Sequence, residues 1–381
     1  MPVFKRRIDD ALSQRQTQGL TRKLNCLASA NHVQFRAEDQ SFINFSSNDY
    51  LGLASDKSLG KAWQHGIDLY GNGSAASPLV TGFSVAHQEL ESALCEWLGF
   101  ERAILFSSGF SANQALLFSL LEKGDLLLQD KLNHASLMEA GMLSPATMKR
   151  FKHNDIRSLQ MMLKENALVV TEGVFSMDGD LSPLRDIQAT CQSKAWLMVD
   201  DAHGIGVLGS EGRGSCQHAG IKPDVLVVTF GKAFGLSGAA ILCDSQVGDY
   251  LTQFARHHVY STAIPPSQAH ALAHAVGMLR TEQWRRDKLA ELQNAYRAAC
   301  GPLPGYVETQ TPIKPFIIGD SAKSLDVAQQ LKRQGHWVTA IRPPTVAKNT
   351  ARLRFTLTTN HTVDDVKALG QSLTRLLEGM E

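Results

Sequence analysis

The chain has 381 residues, enough for one large domain and a smaller one. It is 43% hydrophobic and 20% charged, with 38 basic residues against 37 acidic, so the totals favour neither disorder nor a polyanion or membrane-surface partner. Six cysteines without a C-x-x-C pair lack the tetrahedral zinc pattern, no apolar run approaches the ~20 residues of a membrane span, and the charged N-terminus has no secretory core; these features lead us to expect a cytoplasmic protein with reduced thiols and no metal.

Residues 4–24 read as a short amphipathic helix, followed by strand-like stretches at Val33–Arg36 and Phe42–Phe45. From about residue 86 the chain alternates. β-rich apolar runs stand at Ala103–Phe106, Leu126–Gln129, Met148–His153, Ala167–Thr171, Trp196–Asp200, Asp224–Thr229 and Ala239–Cys243. Helical patterns at 86–98, 111–122, 135–143, 156–165 and 184–194 separate most of them. Such alternation predicts an α/β fold with a mainly parallel seven-stranded sheet covered by helices. The connection between the last two strands is too short for a crossover, so one of them should run antiparallel. Pro265-Pro266 opens a long helical stretch to about Cys300. Ile313–Ile318, a helix at 324–334, Trp337–Ile341, Arg352–Leu357 and a helix from Val363 then predict a small α+β C-terminal domain. The expected division is 1–45 (helix and short strands), 46–270 (large cofactor-binding domain) and 271–381 (small domain).

In an open α/β sheet, ligands gather beyond the carboxyl ends of the strands, so the residues following each strand carry the functional signal. After 224–229 comes Thr229-Phe230-Gly231-Lys232-Ala233-Phe234-Gly235. A lysine among glycines and aromatics at a strand end can serve as an amine that condenses with an aldehyde cofactor; the plain alternative is a surface lysine on a turn. After 196–200, Asp200 and His203 suit a pyridine ring, the carboxylate on its nitrogen and the imidazole on its ring oxygen; a helix cap and a core histidine would look the same. After 103–106, Ser107-Ser108-Gly109-Phe110 opens a helix whose free N–H groups can hold a phosphate, or is an ordinary cap. His134 follows another strand and could stack on the ring, and Ser176 lies in a tight polar loop after 167–171. The run Gly204-Ile205-Gly206-Val207-Leu208-Gly209 matches G-x-G-x-x-G but opens no clear helix and lacks the acidic residue ending the next strand, so it argues weakly for a nicotinamide site.

Taken together, Asn44–Leu53, Val80-Thr81-Gly82, His87, Glu89-Leu90-Glu91, Ser108-Gly109-Phe110, His134-Ala135-Ser136, Glu172–Asp180, Asp200–Gly204 and Thr229–Lys232 resemble the fold-type I pyridoxal phosphate (PLP) transferases, and within them the α-oxoamine synthase family. The motifs occur in family order over nearly the whole chain. Ala340–Val346 and Arg352-Leu353-Arg354 point to the family's biotin-synthesis branch, whereas Gly73–Pro78 departs from the family's more Gly-rich run ending in Ser-Arg. The resemblance implies a decarboxylative condensation of L-alanine with pimeloyl-CoA or a pimeloyl carrier protein. It implies Lys232, His134 and Asp200 as catalytic residues, and Gly109, Phe110, Ser176, His203, Thr229 and Thr262 as further contacts to PLP. It assigns Arg22, Asn48, Arg342, Thr345 and Arg354 to substrate, together with His134, and implies a homodimer with shared active sites, without nucleic acid or membrane.

Three other readings remain open on the residues alone. A sister synthase would use another acyl donor, as a glycine C-acetyltransferase does; a nicotinamide oxidoreductase would use the 204–209 glycines; a non-catalytic PLP-binding protein would turn over nothing. Asp201 has no role on sequence grounds.

Overall fold

The computed structural model describes residues 3–27, 32–37 and 40–379. β1 (Gln34–Ala37) and β2 (Gln40–Asn44) pair antiparallel ahead of the main sheet. That sheet contains β3 (Arg102–Phe106), β4 (Leu126–Asp130), β5 (Thr147–Phe151), β6 (Ala167–Glu172), β7 (Ala195–Asp200), β8 (Val225–Thr229) and β9 (Ala239–Cys243), in the spatial order β3-β9-β8-β7-β6-β4-β5. β9 runs against both its neighbours, β3 and β8, and the other pairings are parallel, as the short 229–239 connection requires.

The central strands are largely apolar because both of their faces are buried. In β8, Val225 and Val227 point into one layer with Met198, Ala239 and Ile241. Leu226 and Val228 point into the other, with Val199, Ala240 and Leu242. Alternate residues of one strand therefore serve two cores, and a polar residue is tolerated only at the strand ends.

A third core lies beyond residue 282. β10 (Ile313–Gly319), β11 (His336–Trp337), β12 (Thr339–Ile341) and β13 (Ala351–Thr356) complete the strands. β13 is central between β10 and β12, while β11 pairs parallel with β2. Trp337–Ile341 is thus two short strands serving two sheets rather than one strand. Leu292, Tyr296, Phe316, Leu353, Phe355 and Leu369 fill this core, and Phe45 joins it from the N-terminal segment.

Several boundaries differ from the sequence expectation for local reasons. The first helix is Val3–Thr17, not 4–24; the chain turns at Gly19, whose φ is +65°. The fourth long helix begins at Gly109, because Ser108 accepts a hydrogen bond from the Ser111 amide and so caps it. The helix at 184 ends at Cys191, two residues before left-handed Ser193. The stretch 266–300 is two helices, Pro266–Thr281 and Gln283–Cys300. The first of these buries Leu272, Ala275, Val276 and Leu279 in the large-domain core, so residues 271–281 pack with the main sheet. A helix at Lys57–Tyr70, capped by Asp56, has no counterpart in the sequence reading.

The glycines after β7 fold around Asp201. Its carboxylate accepts hydrogen bonds from the Ser215 amide at 2.7 Å and the Ser215 hydroxyl at 2.5 Å. Burial pushes the carboxyl up to about 7. Side-chain carbons on Gly173, Gly204 or Gly214 would run into this pair. Of the G-x-G-x-x-G run, Gly204 is therefore spent on closing a loop over a buried aspartate, while Gly206 packs against Ala233 and Leu279 and Gly209 against Gln217 and Gly214. Gly204→Ala should cost about 1–3 kcal/mol by overpacking this point. Urea denaturation checks it, and a loss below about 0.5 kcal/mol would mean that the loop relaxes freely.

Candidate active site

Five strand ends of the main sheet deliver polar side chains to one cavity of about 300 Å³. It is lined by Ser107, Ser108, Gly109 and Phe110 after β3, His134 after β4, Glu172 ending β6, Asp200 ending β7 with His203 just beyond, and Thr229 ending β8 with Lys232 following. A second cavity of about 270 Å³ shares Asn48, His134, His203 and Lys232, and adds Ser176 and Arg354. A third, of about 490 Å³, reaches Lys232 from the side of Leu27, Phe35, Leu236 and Trp337.

Lys232 sits in the turn between β8 and β9. The turn is closed by hydrogen bonds from the Phe230 amide to Gly238 O (2.8 Å) and from the Gly235 amide to Lys232 O (2.9 Å). Phe230 and Phe234 are fully buried beneath it. Gly235, at φ +69°, lies so close to Leu53 and Ala54 that any side chain would strike their backbone. Burial lowers the pKa of the Lys232 amine, opposed by the nearby Asp200 and Glu172 carboxyl groups.

Asp200 is oriented from two sides. The Asn113 amide donates to Oδ2 at 2.7 Å and the Ala202 N–H to Oδ1 at 3.0 Å. Asn113 also donates to the Ser136 hydroxyl at 2.9 Å, and that hydroxyl meets His134 Nδ1 at 2.9 Å. His134 caps its own helix, and burial lowers its pKa. Burial and the neighbouring Asp200 charge push the Glu172 carboxyl well above the usual range, and it accepts a hydrogen bond from the His134 backbone. Neither Asn113 nor Glu172 was singled out from the sequence as a site residue. No local pattern marks Asn113, which shares the helix Gly109–Leu120 with Ser111, Gln114 and Ser119.

Arg354 lies on β13 of the small domain and reaches over to the large one. Its Nε donates to Ser176 O at 2.6 Å, Nη1 to Thr356 Oγ1 at 2.9 Å and Nη2 to Asn48 Oδ1 at 3.1 Å. A further N–H meets the Tyr50 hydroxyl, and the rest of the guanidinium faces the cavity. Neighbouring Arg352 pairs with Asp178 on the same loop as Ser176.

The remaining expected residues lie elsewhere. Thr262 is exposed and lines none of the three cavities. Arg22 and Thr345 are also exposed, while half-buried Arg342 bonds Gly19 O at 3.4 Å, beside the segment carrying Arg22. Among the described residues no cluster suited to a metal ion occurs, and no helix is long and apolar enough to cross a membrane.

The cavity suits PLP on its own chemistry. The Thr229 hydroxyl is buried beside the first turn of the Gly109 helix without a protein partner, as expected of a group awaiting an anion. A side-chain carbon on Gly109 would strike Thr229, so only glycine keeps that floor open. Amine, carboxylate, imidazole and anion cradle are the four donor types that PLP needs for its aldehyde, ring nitrogen, ring oxygen and phosphate.

Residues 40–373 match the model of the aminotransferase class I and II family, which defines the class: a PLP-dependent enzyme. The chain is 66% identical over 381 residues to an 8-amino-7-oxononanoate synthase of Vibrio atlanticus, covering 99% of this chain and 94% of that one. It is 31% identical to the solved 8-amino-7-oxononanoate synthase of Francisella tularensis, with a TM-score of 0.80 over 89% of this chain and 98% of that one. A serine palmitoyltransferase from Sphingomonas wittichii superposes with a TM-score of 0.91 at 28% identity, covering 99% and 98% of the two chains. The chain belongs to the aminotransferase class I and II family and, within it, to the 8-amino-7-oxononanoate synthases.

His153 ties two parts of this site together. Nδ1 meets Asp130 Oδ1 at 2.9 Å and Nε2 meets Asp180 Oδ2 at 2.8 Å. Burial works against its charge, but the two carboxylates outweigh burial and raise its pKa to about 10. A folded-state pKa above the unfolded value gives stability that is fully present below about 6.5 and is lost as the pH rises through 10. The stability difference between wild type and His153→Gln should therefore be largest below pH 6.5 and shrink towards pH 10, measured by thermal melts across pH. A difference that is flat with pH would mean that His153 is uncharged in the fold.

Proposed function

We propose that the enzyme condenses L-alanine with a pimeloyl thioester, of coenzyme A or of a carrier protein, to give 8-amino-7-oxononanoate, the free thiol and CO₂, a step of biotin biosynthesis. The observation that carries this reading is that Lys232 and Arg354 line one cavity, where an amine and a guanidinium suit the two ends of a small amino acid. When bound, PLP supplies an aldehyde for the amino group and a protonated ring that takes up the electron pair left at Cα.

The residues of the chain supply binding and proton transfer. Arg354, whose guanidinium lines the same cavity as Lys232, holds the alanine carboxylate, and Asn48 borders that cavity. The Lys232 amine, its pKa lowered by burial, takes the proton from Cα. Cα then bonds to the thioester carbonyl carbon, the C–S bond breaks and the thiol leaves with a proton. The Cα–carboxylate bond breaks next, CO₂ departs, and a proton returns to Cα. With PLP bound, Asp200, oriented by Asn113 and Ala202, would hold the ring nitrogen, His134 would cover the ring, Ser176 and His203 would hold the ring oxygen, and Gly109, Phe110 and Thr229 would hold the phosphate.

The cavity that opens onto Lys232 suits the acyl substrate, with Leu27, Phe35, Leu236 and Trp337 as an apolar side for the chain and Ser46, Ser47, Asn48 and Asp49 as a polar side. Arg22, Arg342 and Thr345, near the segment that contributes Leu27, serve the polar end of that substrate. Thr262 has no cavity within its own chain. It lies beside exposed Tyr260, and the Ala263 amide ties its segment to Ala76 O near exposed Leu79, Val80 and Phe83. This apolar rim supports a homodimer in which Thr262 serves the phosphate of the partner's site.

Two outcomes test the reading. Borohydride reduction of the PLP-loaded protein should attach the cofactor mass to Lys232, and Lys232→Ala should show no such mass and no turnover. Arg354→Ala should raise KM for L-alanine at least about a hundredfold while changing KM for the thioester little. Thiol release from glycine and acetyl-CoA but not from L-alanine and pimeloyl-CoA would replace this reading with that of a sister synthase.

A further inference from the structure

Tyr50 is fully buried, and its hydroxyl oxygen lies 2.6 Å from His203 Nδ1. It stands on the Asn44–Leu53 segment, in the motif that also supplies Asn48, and none of the roles set out above uses it. The hydroxyl has one hydrogen and two directions in which to give it. Asn48 Oδ1 is 3.4 Å away, at the long limit of a hydrogen bond, and already accepts from Arg354 Nη2 at 3.1 Å. His203 Nδ1 is much nearer. The Arg354 guanidinium borders the phenolic oxygen and can only donate, so it occupies that oxygen's acceptor side and leaves the hydroxyl hydrogen to point at the imidazole.

His203 has two nitrogens and, when neutral, one proton. If Nδ1 accepts from Tyr50, the proton must sit on Nε2. Among the described residues no protein group bonds Nε2, while the His203 side chain lines both the Lys232 cavity and the Arg354 cavity. We propose that Tyr50 is a positioning residue: its hydroxyl holds His203 as the tautomer with the proton on Nε2, so that the ring oxygen of the bound cofactor meets a donor and not a lone pair.

Burial supports both halves of the arrangement. It pushes the Tyr50 hydroxyl up to about 12, so the group keeps its hydrogen, and it pulls His203 well below the usual imidazole range, so the ring stays neutral. Without the tyrosine the two neutral tautomers compete, and part of the population turns an acceptor toward an oxygen that is itself an acceptor. The inference rests on the PLP reading of the cavity. It adds that Arg354, Tyr50 and His203 form a line from the substrate carboxylate to the cofactor ring.

The test starts with the cofactor-free full chain, labelled with nitrogen-15 at histidine, with His203→Gln used to identify the His203 signals. The expected wild-type spectrum has a non-protonated Nδ1 and a protonated Nε2, shifting to averaged values in Tyr50→Phe. A proton on Nδ1 in the wild type overturns the proposal, and the wild-type spectrum alone decides this even where Tyr50→Phe does not fold. The second readout is the PLP dissociation constant in a double-mutant cycle. Tyr50→Phe should weaken PLP about tenfold in the wild-type background and less than about twofold when His203 is already glutamine. Equal weakening in both backgrounds would show that Tyr50 does not act through His203. A wild type that binds no PLP would overturn the proposed function, and the nitrogen spectrum would still decide the tautomer.

Discussion

The rest of the site depends on one arrangement: the buried carboxylate of Asp200 in the same small cavity as the amine of half-buried Lys232. Ionisable groups out of water are costly unless they are hydrogen-bonded and paired. The protein meets that cost locally, with Asn113 and the Ala202 amide on Asp200. Because the central strands of the main sheet are buried on both faces, their interiors are largely apolar and the chemistry sits at the strand ends. The cavity is therefore a consequence of the sheet.

The loop Glu172–Asp180 connects this site to the small domain. On one side His153 holds Asp180 while also gripping Asp130 at the end of β4. On the other, Arg354 donates to Ser176 O, Arg352 pairs with Asp178, and the Thr311 hydroxyl donates to Gly179 O at 2.8 Å. A short loop that bonds both domains fixes where Arg354 stands relative to Lys232. The distance between the Lys232 amine and the Arg354 guanidinium is thereby a property of the interdomain contact, and neither domain sets it alone.

Much of this was legible along the chain. The seven apolar runs, their alternation with helices and the antiparallel last strand follow from periodicity and connection length, which are local. Lys232, Asp200, His203, His134 and Thr229 stand out because strand ends can be located in a sequence and polar residues just past them are conspicuous. Asn113, Glu172 and Tyr50 did not stand out as individual site residues. Each lies within an ordinary helix, strand or turn, and its importance comes from a partner many residues away: Asp200 for Asn113, the His134 backbone for Glu172, and His203 for Tyr50.

The same division explains the two misleading signals. The Gly204–Gly209 run reads as a nucleotide loop because glycine spacing is visible while the reasons for it are not: Gly204 packs on the Asp201–Ser215 contact, Gly206 on Ala233 and Leu279, and Gly209 on Gln217. The stretch Trp337–Ile341 reads as one strand because its apolar pattern is continuous, whereas β2 and β13 each take part of it into separate sheets. The sequence by itself determined the fold class, the order of the strands along the chain and the chemical types at their ends, since these depend on local periodicity and turn chemistry. Only the tertiary structure decided which carboxylate faces the amine, which arginine faces the cavity and which hydroxyl orients His203, because those are set by packing between segments that no local pattern links.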